Sequence, residues 1–176
     1  ADARQRGEIL WLQLLQSALK DDRFELHAQP IMHASVDSPA GGPGLEILLR
    51  LKDDKGVSIA PAEFMRAAER YRLMPHVDRW VVQTSLTLLA RGAIRLASDR
   101  SLCINLSGQT LGDGAFLEFV VDCLDRTGIA PNRICFEVTE NAVITNIEHA
   151  RRFIGVLHGM GCQFQGFQSH ERINRF

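Results

Sequence analysis

"LEILLRL", residues 45–51, holds a glutamate inside an otherwise apolar run. Such a run reads as a buried β-strand. A carboxylate there without a partner is costly or titrates abnormally. Glu46 therefore calls for an arginine, a metal ion or the mouth of an open site. Arg50 lies four residues on, and even spacing in an extended strand puts both side chains on one face.

Working outward, "FELHAQPI" (24–31) precedes this strand as another, ending near Pro30, and the turn-rich "SVDSPAGGPG" (35–44) joins the two. Residues 8–20 predict an amphipathic helix with Leu10, Leu14, Leu15, Ala18 and Leu19 on one side. Pro61 suits the first turn of a second helix, with Phe64, Ala67 and Ala68 inward. Residues 76–92 predict a third, with Val77, Trp80, Val81, Leu88 and Leu89 inward and Gly92 as its stop. Then follow a strand at 101–107, a helix at 114–128, a strand at 133–140, a helix at 146–161 and a short strand at 162–167. Apolar strands alternating with helices predict an α/β fold with a largely parallel sheet. No composition shift divides residues 1–176, so a single domain is expected.

The chain has 176 residues, 45% hydrophobic and 23% charged, with net charge −1. That balance offers no global field for a nucleic-acid polymer or an anionic membrane surface. Any anionic ligand must be held by local charge. No run is long and apolar enough to span a bilayer. The four cysteines (Cys103, Cys123, Cys135 and Cys162) form no Cys-x-x-Cys pair and read as reduced, buried thiols of a cytoplasmic protein. The glycine-rich "AGGPG" lacks the Gly-Lys-Ser/Thr ending of a phosphate loop and reads as a turn. His27 and His33 are too widely spaced for the usual metal-ligand signal, and Trp11 and Trp80 read as packing residues.

Glu46 has two companions. Asn105 in "CINLS" and Glu137 in "CFEVTE" also lie in or near the ends of strand-like runs. In parallel α/β folds the strand C-termini gather on one face, where the chemistry sits. Two carboxylates and an amide offer oxygen, which suits Mg²⁺ or Mn²⁺ better than zinc. A structural ion pair at Glu46 and a helix cap at Asn105 account for the same residues one at a time.

In order, "FELHAQPI", "LEILLRL", "PAEFMRAAE", "DRWVV", "INLSGQTL" and "CFEVTENAVI" resemble the EAL domains, bacterial phosphodiesterases and receptors for cyclic di-GMP. The resemblance runs from about Trp11 to Cys162. The Glu-Ala-Leu triplet reads Glu46-Ile47-Leu48 here, a mild change at a packing position. The resemblance implies a TIM-like (β/α)8 barrel with an antiparallel first strand, and metal-dependent hydrolysis of cyclic di-GMP to linear pGpG. It implies Glu46, Asn105 and Glu137 as ligands of Mg²⁺ or Mn²⁺, with Arg50 on phosphate. It further implies Glu140 as the acid that steadies the loop by the metal, and Gln29 and Gln165 as residues near the ligand. A sensor or GGDEF domain upstream is part of the same expectation.

The pattern breaks after "GMGCQF". The family continues with an Ala-Leu-Asp-Asp-Phe-Gly type segment and later a lysine; here the chain reads "QGFQSHERINRF". The expectation is therefore an incomplete barrel. Residues 1–20 are its N-terminal helix, 24–162 its front part and 163–176 an atypical tail. Its turnover is expected to be impaired, and a catalytically inactive receptor or interaction module is the alternative. Gln165-Gly166-Phe167 reads either as a fifth strand gone astray or as the family's last strand motif. Truncation, internal deletion and unrecorded residues all produce that reading. The open sheet edge expected of half a barrel would suit a homodimer.

Overall fold

A computed structural model describes residues 3–32 and 42–166. His33, most of the 35–44 connection and the tail from Phe167 lie outside the described residues. The elements are α1 (Ala3–Lys20), β1 (Phe24–Pro30), β2 (Pro43–Lys52), β3 (Ser58–Ile59), α2 (Pro61–Arg70) and α3 (Met74–Ala90). They continue with β4 (Ser101–Asn105), α4 (Gly108–Leu111), α5 (Phe116–Thr127), β5 (Ile134–Glu137), α6 (Glu140–Thr145), α7 (Ile147–Met160) and β6 (Gln163–Gln165). The expected order of strands and helices holds. The short β3, α4 and α6 were not foreseen, because two to six residues carry too little periodicity to register.

Local chemistry sets most boundaries. Pro61 starts α2, where its missing N–H costs nothing. Gly128 ends α5 at φ 68°, and Gly161 ends α7 at φ 115°, both in the left-handed region that a Cβ disfavours. One inward assignment fails: Leu10 of α1 is 64% exposed, while Leu15 and Ala18 are fully buried. Leu10 is five residues before Leu15, about 140° around the helix axis, so it leaves the packed face.

Among the described residues the sheet runs β1-β2-β4-β5-β6, with β3 paired to β2. β1 pairs with β2 antiparallel, and β2, β4, β5 and β6 are parallel. Residues in register share a sheet face and successive residues alternate. One face is apolar: Ile47, Leu102, Ile104, Ile134 and Phe136 belong to the core shared with α3, α5 and α7. A second cluster joins Leu15 and Ala18 of α1, Phe24 and Leu51 of the first two strands, and Phe64 and Ala68 of α2. The opposite face carries Gln29, Glu46, Arg50, Cys103, Asn105, Cys135, Glu137, Gln163 and Gln165. The sheet thus separates a helix-covered core from a polar surface.

After β6, Gly166 turns at φ 94°, and a Cβ there would meet the Val138 carbonyl oxygen at 2.1 Å. The Val138 N–H already donates to the Gln165 carbonyl, so the two chains cannot separate without losing that bond. Gly166→Ala is expected to lower stability by about 1–3 kcal/mol, read as a lower urea midpoint.

Candidate functional site

The polar face brings the sequence-predicted residues into one row. Gln29 of β1 stands opposite Glu46 of β2. Glu46 is in register with Cys103, and Asn105, two residues further along β4, is in register with Glu137 of β5. Glu137 in turn faces Gln165 of β6. Two residues of rise, about 6.6 Å, separate the levels of Glu46 and Asn105, and their side chains close that gap. Asn105 Nδ2 donates to Glu46 Oε1 at 3.0 Å. Glu137 stands in register with Asn105 on the neighbouring strand β5, one strand further from Glu46.

One detail differs from expectation. Asn105 and Glu137 are the last residues of their strands, as anticipated, but Glu46 is the fourth of ten in β2. β2 runs on past the site because its far end also pairs with β1 and β3, which extends the strand without moving Glu46. Arg50 lies on the Glu46 face, with its guanidinium Nη1 donating to the Leu49 carbonyl oxygen at 2.9 Å. Across the pair, Glu25 bonds Lys52 at 2.6 Å instead of Arg50.

The loops above the row are built closely. The Leu106 N–H donates to the Glu137 carbonyl at 2.9 Å, extending the β4–β5 ladder past Asn105. Ser107 caps α4 by accepting from the Thr110 N–H at 3.2 Å. Thr139 caps α6 in the same way through the Ala142 N–H. Glu140 follows at the first helical position, where an acid suits the positive end of the helix. Asn146 Nδ2 donates to the carbonyls of Gly108 at 3.0 Å and Ala142 at 2.9 Å, tying α4 to α6. The rim loop after Asn105 and the one carrying Glu140 are therefore joined.

On the same level as Glu46, Cys103 and Cys135 sit side by side on β4 and β5, and all four cysteines are buried and free. The Cys103 thiol lies 3.9 Å from Glu137 Oε2. Its hydrogen bond to Cys135, followed by burial, pushes the Cys135 thiol far above its ordinary value. Burial alone pushes Cys162 up to about 12.

Sequence reasoning missed Asp78. It is 5% exposed and lies on α3 between the inward residues Val77 and Val81. Its Oδ2 accepts from the Ser107 N–H at 2.9 Å and the Thr110 hydroxyl at 2.6 Å. An aspartate at an inward helical position is itself a signal, since such a charge is rarely buried without hydrogen-bond partners.

The donor set suits a hard divalent cation: two carboxylates and one amide carbonyl, all oxygen. Among the described residues no group of three or more His, Cys, Asp or Glu side chains is placed to hold a metal. Water would have to complete the coordination of this three-donor set, as is usual for Mg²⁺.

Comparison with known proteins adds three findings. The EAL domain model matches residues 12–165. Cyclic di-GMP phosphodiesterase PdeB of Shewanella oneidensis is 31% identical over 160 residues, covering 91% of this chain and 18% of that protein. The EAL domain of Xanthomonas citri FimX, solved in complex with c-diGMP, superposes with a TM-score of 0.79 at 25% identity, covering 92% of this chain and 61% of that one. The FimX EAL domain from Pseudomonas aeruginosa, bound to c-di-GMP, superposes at 0.77 with 28% identity, covering 93% and 65%. The chain thus spans about a fifth of PdeB and less than two thirds of each of these solved domains.

Proposed function

The chain belongs to the EAL domain family, and on that premise we propose that its polar sheet face is a cyclic di-GMP site, derived from a metal-dependent phosphodiesterase centre. The observation that carries this reading is the Asn105–Glu46 hydrogen bond at 3.0 Å, with Glu137 in register beside Asn105. Three residues far apart in sequence thus lie on one polar sheet face, two of them hydrogen-bonded and the third in register with one of these.

In this reading Glu46, Glu137 and the Asn105 carbonyl hold Mg²⁺ or Mn²⁺. A bound divalent cation supplies a water of lowered pKa and offsets charge on the phosphoryl oxygens. Arg50 gives up its contact with the Leu49 carbonyl to meet a phosphate, where a guanidinium binds two oxygens at once. Gln29 and Gln165 flank the row and offer amides to the nucleotide, and Glu140 steadies the rim beside it. Helix α1, with Ile9 and Leu10 exposed, joins the domain to an upstream sensor or GGDEF domain in the cytoplasm.

Where the family carries its Asp-Asp segment after Cys162, this sequence reads "QFQGFQ", so binding is expected to outlast turnover. The test is calorimetric titration of the chain with cyclic di-GMP in Mg²⁺ or Mn²⁺, with chromatography of the same mixture for pGpG. Saturable binding with little or no pGpG is the expected outcome, weakened about 10–100-fold by Glu137→Gln. Rapid pGpG formation would overturn the expected loss of turnover. Absence of any metal-dependent binding would remove the reading itself.

A further inference from the structure

Asn105 is exposed to solvent, so packing cannot fix its side chain. Beyond its hydrogen bond to Glu46, its position depends on the backbone on either side. The strand supplies one side, through β4–β5 pairing up to the Leu106 N–H. The other side begins at Ser107, and there the only buried charged side chain among the described residues, Asp78, accepts the Ser107 N–H. The same Asp78 oxygen accepts the Thr110 hydroxyl, and that hydroxyl lies 2.9 Å from Ser107 Oγ, so cap and carboxylate share one network.

We propose that Asp78 is a positioning residue: from α3 it pins the turn after β4, so that the Asn105 amide meets Glu46 and its carbonyl faces the metal-binding row. This rests on the reading of Asn105 as a site residue. A carboxylate suits the task because two donors converge on one oxygen from different elements. An ionised acceptor holds both short, and charge-assisted hydrogen bonds are about twice as strong as neutral ones. An apolar side chain at position 78 would fill the same space and leave the Ser107 N–H buried without an acceptor. The link continues through α4 to Asn146 and α6, so the pin also braces the rim next to Glu140.

The test uses the whole chain and a readout that needs no metal. In ¹⁵N-labelled protein the Asn105 side-chain amide reports its own ordering, and the Ser107 amide reports exchange protection. Asp78→Ala is expected to free the Asn105 amide, to abolish Ser107 protection and to weaken Mn²⁺ binding about 10-fold or more. Asp78→Asn, which keeps one acceptor oxygen, should restore much of each, and Thr110→Val, which removes one of the two donors to Asp78, should loosen both amides in part and serves if the alanine variant does not fold. Val120→Ala, a core truncation in α5, is the stability control and should leave all three unchanged. An Asn105 resonance unmoved in Asp78→Ala or, where that variant does not fold, in Thr110→Val, or shifted equally in Val120→Ala, would overturn the proposal. If the unaltered chain binds no Mn²⁺ while Asp78→Ala still frees Asn105, the positioning role stands and the metal reading falls.

Discussion

Phe153→Ala is expected to lower the unfolding free energy by about 3–5 kcal/mol. Phe153 is 3% exposed on α7. Its ring centroid lies 5.6 Å from Phe116 of α5, 5.7 Å from Phe136 of β5 and 6.0 Å from Phe164 of β6. It is thus the shared member of an aromatic cluster joining two helices to the last two strands. Removal leaves a cavity that three rings border, and rigid rings on separate elements collapse poorly into it. The outcome also bears on the site. Phe136 precedes Glu137 on the strand, so loosening the apolar face of β5 should loosen the carboxylate on its polar face. Urea denaturation measures the first effect. A loss below about 1 kcal/mol would show that α7 and β6 do not pack on β5 as described.

The α/β order was legible because strands and helices differ in period, and Phe64, Ala67 and Ala68 show it directly: all three are buried, as their spacing in "PAEFMRAAE" requires. That Glu46, Asn105 and Glu137 share one sheet face was legible for another reason. Parallel strands carry their ends to one side, so polar residues that interrupt apolar runs converge without contact information. Sequence could not show that Glu46 sits mid-strand, since the extent of β2 depends on partners on both sides. It also could not give the Asn146 bridge, because the two helices it ties are short and lie 38 residues apart from donor to Gly108 acceptor. Asp78 is the intermediate case. Its inward position was readable from "HVDRWVV", but the partners that make it tolerable are the N–H of Ser107, which caps α4, and the hydroxyl of Thr110 within α4, and neither carries a charge to advertise the pairing.

Asp78 also leads to the second large effect, a pH dependence of stability. Burial raises its carboxyl from 3.8 to about 6, opposed by the hydrogen bonds from Thr110 and Ser107. Between these two values the folded protein keeps a proton that the unfolded chain has released. The contribution of this group is therefore fully present below about pH 3.8 and is lost as pH rises through about 6. A shift of roughly two units corresponds to about 3 kcal/mol. Other carboxylates titrate over the same range, so the effect is isolated as a difference from Asp78→Asn, which has no proton to exchange. The stability of the unaltered protein relative to Asp78→Asn is expected to fall by about 3 kcal/mol between about pH 3.5 and pH 7.5, measured by urea denaturation at both. A flat difference would mean that the two hydrogen bonds hold the carboxylate at its ordinary value, with burial costing it nothing. The sign matters for the site. At neutral pH the protein keeps an ionised Asp78 that lowers its stability, and its Oδ2 accepts both donors. A buried charge with that sign contributes geometry at the expense of stability, and the geometry it fixes is the turn that follows Asn105.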